Sequence, residues 1–102
     1  MLGFIKKLFG PGTDFRKLME AGAVIVDVRS QGEYRSGHIP GSKNIPLEQV
    51  KSKVAELKKS GKPVITVCRS GARSGMAKSV LAAAGVEVYN GGPWNSLQRK
   101  IQ

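Results

Sequence analysis

The sequence holds a single cysteine and a single histidine in 102 residues. One cysteine forms no internal disulfide, and one Cys with one His falls short of a structural zinc site, so the fold is held by packing and neither metal nor cofactor is expected. A lone unpaired thiol suits a reducing compartment. Long hydrophobic runs are missing too: nothing approaches the ~20 apolar residues that span a bilayer. Between Met1 and Gly12 the pair Lys6-Lys7 splits Leu2, Phe4 and Ile5 from Leu8 and Phe9, which denies the segment the unbroken apolar core of a secretory signal. The expectation is a cytoplasmic protein without a transmembrane segment, in which residues 1–12 form an N-terminal extension, docked or frayed. Acidic residues are scarce, seven against 17 Lys and Arg, for a net charge of +10. Such a surplus attracts anions, whether small oxyanions, acidic proteins, nucleic acid or a membrane surface. Lys51, Lys53, Lys58, Lys59 and Lys62 gather around one helical pattern and read as its solvated face. No aromatic interleaving or recognition motif accompanies them, so nucleic acid is not an expected partner, while an acidic protein partner stays open.

A chain this short fits one domain, assigned to residues 13–102, since domains peak at about 100 to 150 residues; the protein is expected to be a monomer. Thr13 offers an N-cap for a helix over Asp14 to Ala21, with Asp14 in its first turn. Ala23 to Val28 is a short β-branched run of the kind found in strands covered on both faces. A helical turn follows over Gln31 to Arg35, and Gly37 to Ser42 reads as loop. Lys43 to Ile45 suits a brief strand, and Leu47, Val50, Val54 and Leu57 recur at helical spacing before Gly61. Val64 to Cys68 is a second buried strand. Ser74 to Ala84 is the next helix, with Met76, Ala77, Val80, Leu81 and Ala84 on its apolar face. Val86 to Tyr89 suits a further strand, Asn90-Gly91-Gly92 a turn, and Pro93 the first residue of a last helix carrying the core anchor Trp94 with Leu97 and Ile101. Strands alternating with helices predict an α/β fold around a parallel sheet, whose ligands bind beyond the C-terminal strand ends. Cys68 stands at such an end.

The segment Cys68-Arg69-Ser70-Gly71-Ala72-Arg73 joins a strand end to a helix start through a tight turn. Unpaired amides at a helix start carry about half a positive charge between them, and turn amides converge on the same point, so the segment is an anion cradle. Arg69 and Arg73 add full charges. These surroundings favour a thiolate over the neutral thiol and predict a depressed pKa at Cys68.

Val26-Asp27-Val28-Arg29, Glu33-Tyr34, Gly37-His38-Ile39-Pro40-Gly41-Ser42, Asn44-Ile45-Pro46, Cys68 through Ser74 and Tyr89-Asn90-Gly91-Gly92 follow one another in an order that resembles the single-domain rhodaneses, the thiosulfate sulfurtransferase family. The resemblance runs from about Thr13 onward. It implies a three-layer fold with a central parallel sheet of four to five short strands. It also implies an enzyme that moves sulfane sulfur from thiosulfate to a thiol or cyanide acceptor through a Cys68 persulfide. Cys68 is then the nucleophile, and Arg69, Ser70, Gly71, Ala72 and Arg73 bind the donor and stabilise the persulfide through their amides. The side chains of Arg69 and Arg73 would steer the dianionic donor, or Arg73 would turn inward to brace the loop. Asp27 and Arg29 are expected to brace neighbouring loops, and His38 to be tied into loop hydrogen bonds. A short edge strand usually precedes the first helix in this family, where this chain has Gly10-Pro11-Gly12.

Two other classes compete. Phosphatases and arsenate reductases related to rhodaneses use Cys-x5-Arg to surround a tetrahedral oxyanion, but four residues separate Cys68 from Arg73, and no general acid stands beside the loop. A persulfide carrier or docking module would use the same cysteine without meaningful turnover of free thiosulfate.

Overall fold

A computed structural model describes residues 12–102; the expected extension lies outside the described residues except for Gly12. Helix α1 covers Phe15–Glu20, strand β1 Val24–Asp27, helix α2 Gln31–Ser36 and strand β2 Lys43–Asn44. A 3-10 turn over Leu47–Gln49 leads into α3, Val50–Ser60. Strand β3 is Val64–Cys68, α4 is Ala72–Ala83, β4 is Val88–Pro93 and α5 is Trp94–Ile101. The four strands pair in parallel in the order β2-β1-β3-β4. Among the described residues no strand precedes α1, so the sheet has the smaller of the two expected strand counts.

The period of two along β3 divides the core. Val64 and Cys68 join Val26, Val28, Val50, Leu57, Ala77 and Leu81 in a cluster between the sheet and α3 with α4. Ile65 and Val67 join Ile25, Ile39 and Leu97 on the opposite face, where Phe15, Leu18 and Trp94 of α1 and α5 complete the layer. All five residues of β3 are buried, and burying each large apolar side chain contributes roughly 1.5–3 kcal/mol. The result is the expected three-layer α/β fold, with Cys68 at the C-terminal end of a central strand.

Local details depart from the sequence reading. Asp14, not Thr13, caps α1, its carboxylate accepting from the Lys17 amide at 3.1 Å. Helix α4 starts two residues before Ser74, and Ser74, Ala77 and Leu81 form its buried stripe. Met76 falls off that stripe and is 59% exposed. Pro93 is the N-cap of α5 and not its first residue. Asn90-Gly91-Gly92 belong to β4 and make no free turn. Thr66 pairs with Asn90 and Val67 with Gly92, which leaves Gly91 as the extra residue of a bulge. A Cβ on Gly91 would stand 2.9 Å from both Ile65 Cγ2 and Val67 Cγ1 and 3.1 Å from the Thr66 carbonyl. Only glycine lets the bulge lie this close to β3.

Candidate active site

Cys68 is 1% exposed, so its sulfur depends on protein donors where water would otherwise solvate it. Gly71 precedes α4 with a left-handed backbone, φ +102°, which a side chain would strain. In this conformation its N–H donates to Cys68 Sγ at 3.0 Å. The Ser74 amide, an unpaired donor of the first helical turn, reaches the same sulfur at 3.3 Å, and Ser74 Oγ also lies 3.3 Å from it. Burial pushes the thiol up, but the Ser74 hydroxyl and the amides of Ser74, Gly71 and Ser70 outweigh it, and the pKa settles below its ordinary value. This is the direction expected from the sequence.

The cradle is braced from several sides. Thr66, on the same face of β3 as Cys68, donates to the Ser74 carbonyl at 2.9 Å. Asn90 Nδ2 donates to the Gly71 carbonyl at 3.2 Å, and Asn90 Oδ1 accepts from Ser74 Oγ at 2.7 Å and from the Gly92 amide at 2.9 Å. Arg73 takes the inward course, donating through both terminal nitrogens to Glu33 at 2.7 and 3.0 Å. Glu33 also closes the capping box of α2, accepting from the Ser30 amide at 3.1 Å while Ser30 Oγ accepts from the Glu33 amide at 3.2 Å. Arg69 is exposed and makes no hydrogen bond or ion pair with any described residue. The structure thus separates the two arginines: one is tied to α2 and the other faces solvent.

Asp27 and Arg29 form the expected brace. Arg29 donates to Asp27 at 2.7 to 3.1 Å through three contacts, reaches the Gly37 carbonyl at 2.8 Å, and lies 4.8 Å over the Trp94 ring. Asn44 Nδ2 donates to the carbonyls of both residues at 3.0 Å. His38 is held by the preceding helix and not by its own loop: Nδ1 contacts the carbonyl of Tyr34 in α2 at 2.8 Å, and its ring stacks on Tyr34 with centroids 3.8 Å apart.

Sequence reasoning counted Ser74 in the anion-holding segment as its helix start but gave its hydroxyl no role, and it placed Asn90 in a turn outside the cradle. A hydroxyl at the third helical position after a cysteine was the available signal for Ser74. Asn90 offered none, because its approach to Gly71 and Ser74 comes from the β4 bulge. Glu33 stood 40 residues from Arg73, so their pairing was equally hidden.

The Glu33 contacts carry a pH prediction. Hydrogen bonds from Arg73, followed by the Ser30 amide, bring the Glu33 carboxyl from 4.5 down to about 2. A carboxyl depressed on folding contributes stability above its unfolded pKa and loses it as pH falls through the folded value. The melting temperature of the wild type should exceed that of Glu33→Gln at pH 6, and the gap should close between about pH 4.5 and 2. Thermal melts across that range check this; a constant gap would show that the charge of Glu33 does not matter.

A family model, the rhodanese-like domain, matches residues 12–94. YqhL of Bacillus subtilis is 42% identical over 69 residues, 67% of this chain, and the chain spans only 54% of its length. The thiosulfate sulfurtransferase PspE of Escherichia coli is 36% identical over 69 residues, covering 66% of each protein. Among solved structures, a rhodanese with anions from E. coli superposes with a TM-score of 0.68 at 32% identity, over 74% of this chain and 91% of that one. A cysteine set by converging amides at the end of a central parallel strand, within a match over most of the chain, makes this protein a member of the rhodanese-like domain family.

Proposed function

We propose that this protein is a sulfurtransferase that moves sulfane sulfur from thiosulfate or a similar anionic donor to a thiophilic acceptor through a persulfide of Cys68. The reading is carried by the cradle: two backbone amides donate to a buried sulfur at 3.0 and 3.3 Å, a setting that favours negative charge there. In the first step the Cys68 thiolate attacks the outer sulfur of thiosulfate. The sulfur–sulfur bond of the donor breaks, and its electron pair leaves with sulfite. In the second step a thiolate or cyanide attacks the outer sulfur of the persulfide, and the electron pair returns to Cys68 Sγ. No general base is assigned to this step: the cradle holds the Cys68 pKa below its ordinary value, and the thiolate is the attacking form. The amides of Ser74, Gly71 and Ser70 hold the charge on Cys68 Sγ, and those of Ala72 and Arg73 in the first turn of α4 are assigned to the outer sulfur.

In this reading the two arginines divide the work. Arg69 captures the donor with its guanidinium, which no described residue engages, and Arg73 positions the loop through Glu33. Arg69→Ala is expected to raise the KM for thiosulfate about tenfold with little change in kcat, because it removes binding common to ground and transition states. Arg73→Ala should lower kcat instead. Steady-state kinetics of both variants would refute the division if the two patterns were exchanged or alike.

Intact-protein mass spectrometry tests the function itself. After incubation with thiosulfate the wild type should gain one sulfur atom, and cyanide should remove it and yield thiocyanate. Absence of the adduct with thiosulfate and with other sulfane donors would sink the proposal. An adduct that forms and discharges only slowly to small acceptors would mark a persulfide carrier serving a protein partner.

A further inference from the structure

The hydroxyl of Ser74 lies between two acceptors. Its oxygen is 2.7 Å from Asn90 Oδ1 and 3.3 Å from Cys68 Sγ, and it carries one proton. The orientation of the Asn90 amide is set by its other partners, since Oδ1 accepts from the Gly92 amide at 2.9 Å and Nδ2 donates to the Gly71 carbonyl at 3.2 Å. Turning the amide over would set donor against donor and acceptor against acceptor. Ser74 therefore donates to Asn90, and a lone pair of Oγ faces the sulfur. That arrangement matches a neutral S–H, which can donate to Oγ, but it opposes a thiolate, which cannot.

We propose that Ser74 and Asn90 form a two-position hydroxyl switch that follows the charge on Cys68 through the sulfur-transfer cycle, Ser74 acting on the sulfur and Asn90 serving as its positioning residue. When Cys68 ionises, rotation about the Cβ–Oγ bond of Ser74 turns the proton from Asn90 Oδ1 to Sγ. A hydrogen bond to an ionised acceptor is about twice as strong as one between neutral groups, so the exchange favours the thiolate. Asn90 Oδ1 is not orphaned by the turn, because the Gly92 amide stays on it. In the persulfide the negative charge resides on the outer sulfur and Sγ is neutral, so the hydroxyl returns to Asn90. During discharge the electron pair comes back to Sγ, and the proton turns to meet it. The switch thus assists the step in which Cys68 is the leaving group more than the step in which it attacks, where binding the thiolate dampens its nucleophilicity.

The same side chain links both ends of the cradle. Asn90 ties the carbonyl of Gly71, whose amide donates to the sulfur, to the hydroxyl of Ser74, whose amide also donates to it. The β4 bulge at Gly91 places Asn90 there. Of the charged groups near the thiol, Arg73 of α4 senses the Cys68 charge and is held by Glu33 of α2. Asp27 of β1 is neutralised by Arg29, and Arg69 belongs to the loop. Ser74→Ala leaves all of these in place.

The switch rests on the sulfur-transfer reading for its role but not for its detection, because thiol ionisation is measurable without any sulfur donor. In the full-length protein, the pH dependence of Cys68 alkylation by iodoacetamide should move upward by about one unit in Ser74→Ala. Asn90→Asp places a charged acceptor against the same hydroxyl and should also move it upward. In the Ser74→Ala/Asn90→Asp double variant the second shift should shrink to what the added charge alone exerts. Thermal melts establish that each variant is folded, and Asn90→Asp alone still reads the pair if Ser74→Ala is not. Coincident titrations in wild type and Ser74→Ala would overturn the proposal, and so would strictly additive shifts in the double variant. For proteins loaded with sulfur beforehand, Ser74→Ala should slow discharge by cyanide about tenfold while loading at pH 9 changes less than threefold or so. Equal effects on both steps would also overturn it. Wild-type protein that fails to load while its titration responds as described would refute sulfur transfer and leave the hydroxyl switch standing.

Discussion

Cys68→Ser is expected to remove sulfur transfer down to the uncatalysed background, a loss of roughly 10⁴-fold or more. The substitution changes one atom and keeps the cradle, but a serine hydroxyl has no accessible ionised form near neutral pH and forms no persulfide. The Gly71 and Ser74 amides, which donate to the sulfur at 3.0 and 3.3 Å, are well placed to meet an oxygen instead. The variant should therefore fold, with a melting temperature close to that of the wild type. Thiosulfate should add no sulfur to it in intact-mass measurements. An adduct in Cys68→Ser would place the chemistry elsewhere, a severe result for a chain whose only cysteine is this one.

The largest expected effect on stability belongs to Asp27→Ala. Asp27 is 0% and Arg29 4% exposed, and their ion pair closes at 2.7 Å. Removing one partner of a buried pair costs about 3–5 kcal/mol, because the other charge is left without compensation. For a domain of this size each kcal/mol shifts the midpoint by roughly 4–8 °C, so the melting temperature should fall by more than about 10 °C. The damage should spread to the site, since Arg29 also holds the Gly37 carbonyl and, at 3.3 Å, the carbonyl of Glu33. Glu33 is the residue that grips Arg73. Arg29→Lys retains the charge but not the fork that meets Asp27 and the two carbonyls together, and it should be intermediate. A melting temperature for Asp27→Ala within a few degrees of the wild type would mean that the pair contributes little, as solvent-exposed pairs do.

Both predictions concern residues that stand out in the amino-acid sequence alone. The β-branched runs from Ala23 to Val28, which contains Asp27, and from Val64 to Cys68 announced buried strands, since parallel strands covered on both faces need continuous apolar residues. The abrupt change from Val67-Cys68 to Arg-Ser-Gly announced a strand end opening into an anion cradle. Periodicity was less reliable where burial was partial. Met76 fitted an apolar face by spacing, yet a helix covers the sheet along a narrow stripe, here Ser74, Ala77 and Leu81. The glycines beyond Asn90 read as a turn for a similar reason: two adjacent glycines signal freedom, and nothing local reveals that a neighbouring strand needs one of them for close approach.

What the sequence determined by itself was the order of elements, the parallel α/β class and the identity of the thiol, because these follow from local pattern and composition. What the tertiary structure decided was the company that thiol keeps. Arg73 turns to Glu33 because folding brings α2 beside the start of α4. Asn90 meets Ser74 because a bulge in β4 bends it toward the loop. Contacts of this kind join residues far apart in the chain through the packing of whole elements, and no window of sequence contains the distances that create them.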